Sequence, residues 1–390
     1  MKTLELAKKY HDFVVGMRRE FHRNPEVSMK EFNTQKRIRE ELDKIGVENV
    51  PCGGTGVLAT IKGTKPGLTV GLRADIDALT VVEENDKEYA SAIPGVMHAC
   101  GHDTHGAMLL GAARILNELR DEIKGTVKFF FQPGEEVGLG ALAMIKDGAL
   151  EGVDGILGVH VSSELPSGVI NAEGGPRMAS ADMFKITITG KGGHGAHPEE
   201  TIDAVVVGAA TVMNLQTIVS REFSPLDPLV VTVGSLNSGT RMNVIAPTAI
   251  LEGTVRYFRS DYAKPVKEAI ERIMRATAEA YRATAELEYT YLIKPTFNDE
   301  KVAAIAEKAA AEVVGDKNVV KAPLTTGGED FSEYSALIPG VMTRLGTGNA
   351  AKGTDYPHHH GKFDVDEDAF VYGSAYYAQF ALDFLDSYKK

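Results

Sequence analysis

Nine consecutive residues, Met97-His98-Ala99-Cys100-Gly101-His102-Asp103-Thr104-His105, place a thiol, three imidazoles and a carboxylate side by side. Thiolate and imidazole together are the usual ligand set for a zinc-like ion. An apolar, Ala-rich run over 107–119 follows with helical spacing, so the cluster sits on a loop that opens a helix. The positive end of that helix is expected to favour the thiolate form of Cys100. A buried structural cysteine flanked by surface histidines is the competing reading. It loses ground as further acidic and histidine partners come into view downstream.

Glu135-Glu136 follows an apolar strand and the turn Pro133-Gly134. Two adjacent carboxylates at such a place repel and call for a cation nearby. One can bind a metal while the other faces a water as general base. A pair of solvated loop-tip acids is the alternative. His160 is expected at the end of the next strand, on the side of the sheet where open α/β folds gather their sites; alone it reads more often as a satisfied core histidine. His358-His359-His360 lies ahead of a long helix and adds further imidazoles. Gly192-Gly193-His194-Gly195-Ala196-His197 is a Gly-rich turn that exposes two more. Asp75 and Asp77, at a strand end, are candidates to orient ligands or to cap a turn.

These residues need a scaffold, and 390 residues exceed what one hydrophobic core usually holds. Strands over 56–62, 68–76, 126–132 and 155–159 alternate with helices over 3–22, 28–46, 107–119 and 139–146, the pattern of an α/β domain. Ser28 is the expected cap of the second helix. After the breaker cluster Gly174-Gly175-Pro176 comes a strand over 183–190, a helix over 202–219, strands over 229–234 and 250–258, a helix over 263–282 and a strand over 286–293. That β-α-β-β-α-β order is the ferredoxin-like split motif. The first domain resumes with a helix over 299–314 and closes with one from about 366. The expected division is 1–178 with 296–390 for the main domain and 179–295 for the insertion.

Composition is that of an ordinary globular chain, with 43% apolar and 25% charged residues. The net charge of −12 argues against a nucleic-acid partner, which needs a basic face. No run is expected to span a membrane, the first residues carry no apolar signal core, and a cytoplasmic location follows as the expectation. With only Cys52 and Cys100 there is no disulfide framework.

Taken together, Arg73-Ala74-Asp75-Ile76-Asp77-Ala78-Leu79, Met97-His98-Ala99-Cys100-Gly101-His102-Asp103, Gln132-Pro133-Gly134-Glu135-Glu136, Gly193-His194-Gly195-Ala196-His197-Pro198, Asn243-Val244-Ile245-Ala246-Pro247, Gly328-Glu329-Asp330-Phe331 and His359-His360-Gly361-Lys362-Phe363 resemble the M20 metallopeptidase family. The resemblance is to its aminoacylase/amidohydrolase branch, with hippurate and auxin-conjugate hydrolases, and it covers essentially the whole chain. It implies a metallopeptidase-type catalytic domain with helices on a mixed sheet and an inserted lid and dimerisation domain. It implies two divalent ions (zinc, manganese, cobalt or nickel) held by Cys100, His102, Glu136, His160 and His359, with His360 competing for the last place. Glu135 matches the general base. His194 and Asn243 match residues that, in dimeric relatives, reach the partner subunit's site, and Arg256 is aligned more loosely with a carboxylate-binding role. Three positions depart from the family pattern: Thr80 and Gly361 stand where proline is usual, and Gly134 where alanine is.

The implied activity is hydrolysis of N-acyl amino acids or related small amides by a homodimer or a dimer of dimers. A dipeptidase or carboxypeptidase and an N-acetyl-diaminopimelate deacetylase are the near alternatives, and a non-catalytic metal-binding protein the remote one. Gly138-Leu139-Gly140-Ala141-Leu142-Ala143 fits a dinucleotide fingerprint in form. It does not directly follow its strand, and Glu135 and Glu136 would face a pyrophosphate.

Overall fold

The computed structural model describes residues 2–389. They form two compact units: residues 2–175, 297–323 and 330–389 make the first, Pro176–Thr296 and Leu324–Glu329 the second. The strip Leu324–Glu329, expected in the main domain, joins the second unit because Thr325 bonds both Ala179 (3.1 Å) and Arg177 (3.2 Å) through the backbone.

The first unit is built on a mixed seven-stranded sheet. Its order is Glu48–Cys52, Gly56–Lys62, Lys124–Gln132, Lys65–Asp75, Gly155–Pro166, Gly340–Gly348, Ile170–Asn171. The four strands from Lys124–Gln132 to Gly340–Gly348 run parallel, and antiparallel strands flank them. Parallel strands are covered on both faces and therefore read as continuous apolar runs. Val127, Phe129, Phe130 and Phe131 do so: Phe129 and Phe131 enter the larger core cluster and Phe130 the opposite one. The larger core lies under helices Lys2–Arg23, His102–Glu118, Glu300–Val314 and Phe370–Ser387. Their apolar faces repeat at helical spacing, as Val14, Met17 and Phe21 do.

The expected elements need several corrections. Glu48–Cys52 went unread because its polar, proline-bearing sequence suits an edge strand. Gly340–Gly348 went unread because threonine, arginine and glycine interrupt its apolar run. The second helix begins at Phe32 rather than near Ser28, whose hydroxyl instead donates to the Asp77 carboxylate at 2.6 Å. His160 does not end its strand, which runs on to Pro166. The ladder to the neighbouring strand nevertheless stops at the pair Arg73–Gly158, so His160 stands just beyond it, level with Asp75.

In the second unit, Ala181–Thr189, Leu229–Ser238, Thr248–Tyr257 and Thr284–Ile293 form an antiparallel sheet ordered second, third, first, fourth. With helices Ala204–Thr217 and Ala263–Ala280 packed on it, this is the ferredoxin-like arrangement. Contrary to expectation, Ala204–Glu222 is long and apolar enough by composition to cross a membrane. Its buried residues, Ala204, Val207, Gly208, Thr211, Leu215 and Ile218, recur on one stripe that packs on the sheet. That packing makes it a core helix with an apolar outer face.

Candidate metal centre and active site

The parallel strands end together, and the loops after them carry the chemistry. Strand Lys65–Asp75 leads to Asp75 and Asp77, and strand Lys124–Gln132 leads to Glu135 and Glu136. Cys100 precedes helix His102–Glu118 through Gly101, whose φ of 89° puts it in the left-handed region. A side chain there would press a Cβ to 2.5 Å from Val161, so glycine is required both for its dihedral and for space.

Donor atoms of Cys100, His102 and His160 lie within 4.8 Å of one another, as do those of Cys100, Glu136 and His359, and those of His102, Glu135 and Glu136. All five expected ligands and the expected base are thereby linked through shared members. Cys100 Sγ is 3.5 Å from His160 Nε2, while Glu136 Oε1 is 3.4 Å from His359 Nε2 and 4.0 Å from His102 Nε2. His359 itself has a φ of 65°, a conformation that costs a non-glycine residue on the order of 1 kcal/mol. Its N–H donates to the Ala99 carbonyl at 2.8 Å, which ties the histidine loop to the cysteine loop. His360 points elsewhere: it stacks on Tyr356, and its Nδ1 accepts from Lys362 N–H. His358 packs its ring 5.3 Å from that of His160.

The surroundings set the tautomers. His102 Nδ1 is 3.0 Å from both the carboxylate and the carbonyl of Asp77, two acceptors, so Nδ1 carries the proton and Nε2 presents its lone pair. His160 Nδ1 donates in the same way to the Val161 carbonyl at 2.6 Å. His105 is different. Its Nδ1 donates to Asp75 and its Nε2 accepts from Val161 N–H at 2.8 Å, so both nitrogens are used. It fixes the strand beside His160 and offers no lone pair. Orienting partners of this kind are the common support of metal-binding histidines.

Electrostatics divide the ligands: before any metal binds, Cys100 and His102 favour their protonated forms and His160 its neutral one. Burial pushes the Cys100 thiol up to about 12, so the expected thiolate is not favoured by the helix end alone; desolvation outweighs it. Burial opposes charge on His102, yet Asp75, Cys100 and Asp77 outweigh it and raise its pKa well above the ordinary value. Burial, reinforced by His105 and His358, holds His160 well below its ordinary value. Neither His102 Nε2 nor Glu136 Oε1, both buried, makes a hydrogen bond with any described residue. Buried polar atoms of this kind are expensive without a partner. A borderline-soft divalent cation satisfies them together with a thiolate, so the donor set fits the metals that the resemblance implies.

Several supporting residues lay outside the site expected from sequence. Asp330 accepts from Arg73 Nη2 (2.9 Å), Gln132 Nε2 (2.7 Å) and Ala141 N–H (3.0 Å), and its own N–H reaches Glu135 Oε1 at 3.4 Å. Asp103 is buried against Arg18 Nε at 2.9 Å and His22 Nδ1 at 2.7 Å, which anchors the first helix to the one that His102 opens. Asp75 and Asp77 do orient His105 and His102.

His194 and Asn243 come together within the second unit. Gly193–His194 pairs with Val244–Ile245, and Gly195 N–H donates to the Asn243 carbonyl at 2.9 Å. His194 is exposed, and its Nδ1 accepts from Ala196 N–H at 3.0 Å, so Nε2 faces outwards. Arg256 is not brought to them. It sits eight residues along strand Thr248–Tyr257 from the end nearest that loop, a span of about 26 Å, and lies beside Asp182.

Comparisons with known proteins agree with this arrangement. Residues 71–383 match the family described as Peptidase family M20/M25/M40. The chain is 41% identical to thermostable carboxypeptidase 2 of Saccharolobus solfataricus, over 97% of each chain. It is 40% identical to N-acetylcysteine deacetylase of Bacillus subtilis, over 98% of this chain and 99% of that one. A Bacillus subtilis crystal structure described as a dinuclear metal-binding peptidase of the M20 family superposes with a TM-score of 0.87 at 37% identity, covering 97% of this chain and 99% of that one. With the motifs in family order and matches of this extent, the chain belongs to peptidase family M20/M25/M40.

Proposed function

We propose that this protein is a metal-dependent amidohydrolase that cleaves the amide bond of N-acyl amino acids. The observation that carries the reading is the convergence of Cys100, His102, Glu136, His160 and His359 beside Glu135, with the proton of each buried ligand imidazole already placed on Nδ1. Two divalent ions bound there supply positive charge that polarises the scissile carbonyl and makes a water acidic enough to lose its proton near neutral pH. Glu135 takes that proton and returns it to the leaving amine. Glu136 is the ligand of the pair, since its Oε1 faces both His102 and His359. Asp77 and Asp75 hold the ligand frame, so little reorganisation is needed during turnover.

His194 and Asn243 are proposed to hold the substrate carbonyl or carboxylate from a second copy of the chain. The edge position of strand Leu229–Ser238 and the exposed Val205, Val206 and Met213 support self-association through the second unit. Two buried, unbridged cysteines are in keeping with a cytoplasmic location.

A carboxypeptidase reading shares this chemistry, because a C-terminal peptide bond and an N-acyl amino acid both release an amine bearing a free carboxylate. Relatives are named for each activity. Steady-state rates on N-acetyl amino acids, N-benzoyl amino acids and dipeptides separate them. Preference for the acyl compounds is expected; turnover confined to dipeptides would transfer the assignment, and none on any of them would end it.

A further inference from the structure

The loop at residues 26–31 carries no proposed ligand, yet it grips the segment of Asp77, which orients His102, and the turn that delivers Glu135 and Glu136. The Glu26 carbonyl accepts from Ala78 N–H at 2.8 Å, and Ser28 Oγ donates to Asp77 at 2.6 Å. Glu31 is fully buried, and its carboxylate gathers three donors: Gly134 N–H at 2.9 Å, Met29 N–H at 2.8 Å and the Thr55 hydroxyl. A buried carboxylate is a costly filler for a core position unless its hydrogen bonds serve a purpose.

The bond to Gly134 has one. Gly134 has a φ of 59° and no Cβ to confine it, so this residue does not by itself fix the direction in which the chain delivers Glu135. The Gly134 carbonyl is held from within the turn, by Leu139 N–H at 3.3 Å and Gly140 N–H at 3.2 Å, and its N–H is held from outside. Asp330 holds both flanks of the turn, Gln132 before it and Ala141 after it, and its N–H reaches the Glu135 carboxylate; Glu136 has its own tether, its N–H donating to Asp77 Oδ2 at 3.1 Å. The entry to Glu135 is held by Glu31, and the Met29 sulfur packs where a Cβ on residue 134 would fall.

We propose that Glu31 is a positioning residue for Glu135, pinning the Gly134 peptide so that the base is aimed from a fixed turn. This rests on the reading of Glu135 as the general base. Because Glu136 is tethered separately, loss of Glu31 is felt at the base and not at the metal.

Glu31→Ala, Glu31→Asp and Glu31→Gln, each made alone and in a Glu135→Gln background, test it. On the best N-acyl substrate of the wild type, Glu31→Ala and Glu31→Asp are expected to lower kcat by about 10- to 100-fold, the usual scale for a supporting residue, with KM and metal content unchanged. Glu31→Gln keeps an acceptor oxygen at full reach and should recover most of the rate. In the Glu135→Gln background, Glu31→Ala should cost nothing further. Amide hydrogen exchange on the metal-free protein gives a readout independent of turnover: Gly134 N–H should be protected in the wild type and in Glu31→Gln, and exposed to exchange in the two shortened variants.

Unchanged kcat in both shortened variants, an equal loss with glutamine, an undiminished loss in the Glu135→Gln background, or a fall in metal content would each overturn the proposal. So would failure of both shortened variants to fold, since Glu31 would then serve the fold and not the base. Failure of the parent reading shows separately, as wild-type turnover by Glu135→Gln itself.

Discussion

His102 is buried, with Nδ1 held by Asp77 at 3.0 Å and Nε2 facing Cys100 and Glu136, whereas His194 is exposed and its Nδ1 takes only the N–H of Ala196, two residues on. The same contrast runs through the two units. In the first, every functional imidazole is backed by a further residue: Asp77 behind His102, the Val161 carbonyl behind His160, Ala99 fixing the backbone of His359. In the second, His194 sits on a surface turn, its Nδ1 taking the Ala196 N–H and its ring 5.4 Å from that of His197. Desolvation is met in advance in the first unit, whereas the second leaves its candidate imidazole exposed. The M20 chemistry proposed here needs both kinds of residue, and the difference can be tested.

The largest effect should follow from breaking the preorganised half. Cys100→Ala removes a ligand that links the donor groups of His102 with His160 and of Glu136 with His359. Metal content by elemental analysis should fall together with turnover, the latter by at least the ~10²–10⁴-fold that a general base alone contributes. A full metal complement with normal turnover would show that the cluster is not the site. Because the thiol is held up near 12, metal uptake must expel its proton, so affinity should rise with pH across the neutral range.

Next comes the pair of adjacent carboxylates. Glu135→Gln should retain metal and lose roughly 10²–10⁴-fold in kcat. Glu136→Gln should lose metal first, since its Oε1 faces two ligand imidazoles. The reverse outcome would exchange the two roles.

The exposed half is tested by complementation. Glu135→Ala and His194→Ala proteins, each nearly inactive, are dissociated, mixed and reassociated. If the second unit of one copy serves the first unit of the other, a mixed dimer has one doubly damaged site and one intact site. Random pairing makes about half the dimers mixed, so roughly a quarter of wild-type activity should return. No recovery, with subunit exchange confirmed by mass, would place His194 in service of its own chain.

The ligand frame was legible in the sequence because thiol, imidazole and paired carboxylates are rare types at close spacing, and the alternation of apolar runs announced both folds. What stayed hidden was whatever depends on residues distant in the chain. Arg18 reads as one more charge on a surface helix, yet it is fully buried, because its partner Asp103 lies 85 residues away. Ser28 carries a cap's signature, but Asp77 had the stronger claim on its hydroxyl. Glu31 gave no signal at all. The choice between His359 and His360 likewise turned on backbone geometry, a left-handed φ and a bond to Ala99, that three identical residues cannot encode in their types.

The smallest effect concerns buried acids, which the two units treat in opposite ways. Burial raises the pKa of Asp75, but Arg73 foremost, then His102 and His105, pull it well below the usual carboxylate range. Asp182, also buried, in the second unit, takes the Tyr257 and Tyr289 hydroxyls on one oxygen, at 2.9 and 2.8 Å. Its other oxygen, Oδ1, has no hydrogen-bond partner among the described residues. Burial dominates there and its pKa is raised, against the lowering pull of Tyr289, Tyr257 and Arg256. A folded-state pKa above the unfolded one means that the native state binds the proton more tightly, so stability falls as pH rises through the window from the unfolded value of about 4 up to the raised folded value. At neutral pH the wild type bears this penalty in full. Asp182→Asn keeps an oxygen for the two tyrosines and removes the charge, so it should stabilise the protein at pH 7 on the order of 1 kcal/mol. The gain should shrink to nothing as pH approaches 4, with metal content and turnover unaffected. Equilibrium denaturation of both proteins across that range is the measurement. An asparagine variant that is less stable at pH 7, or a difference that ignores pH, would show that Asp182 is as well compensated as Asp75.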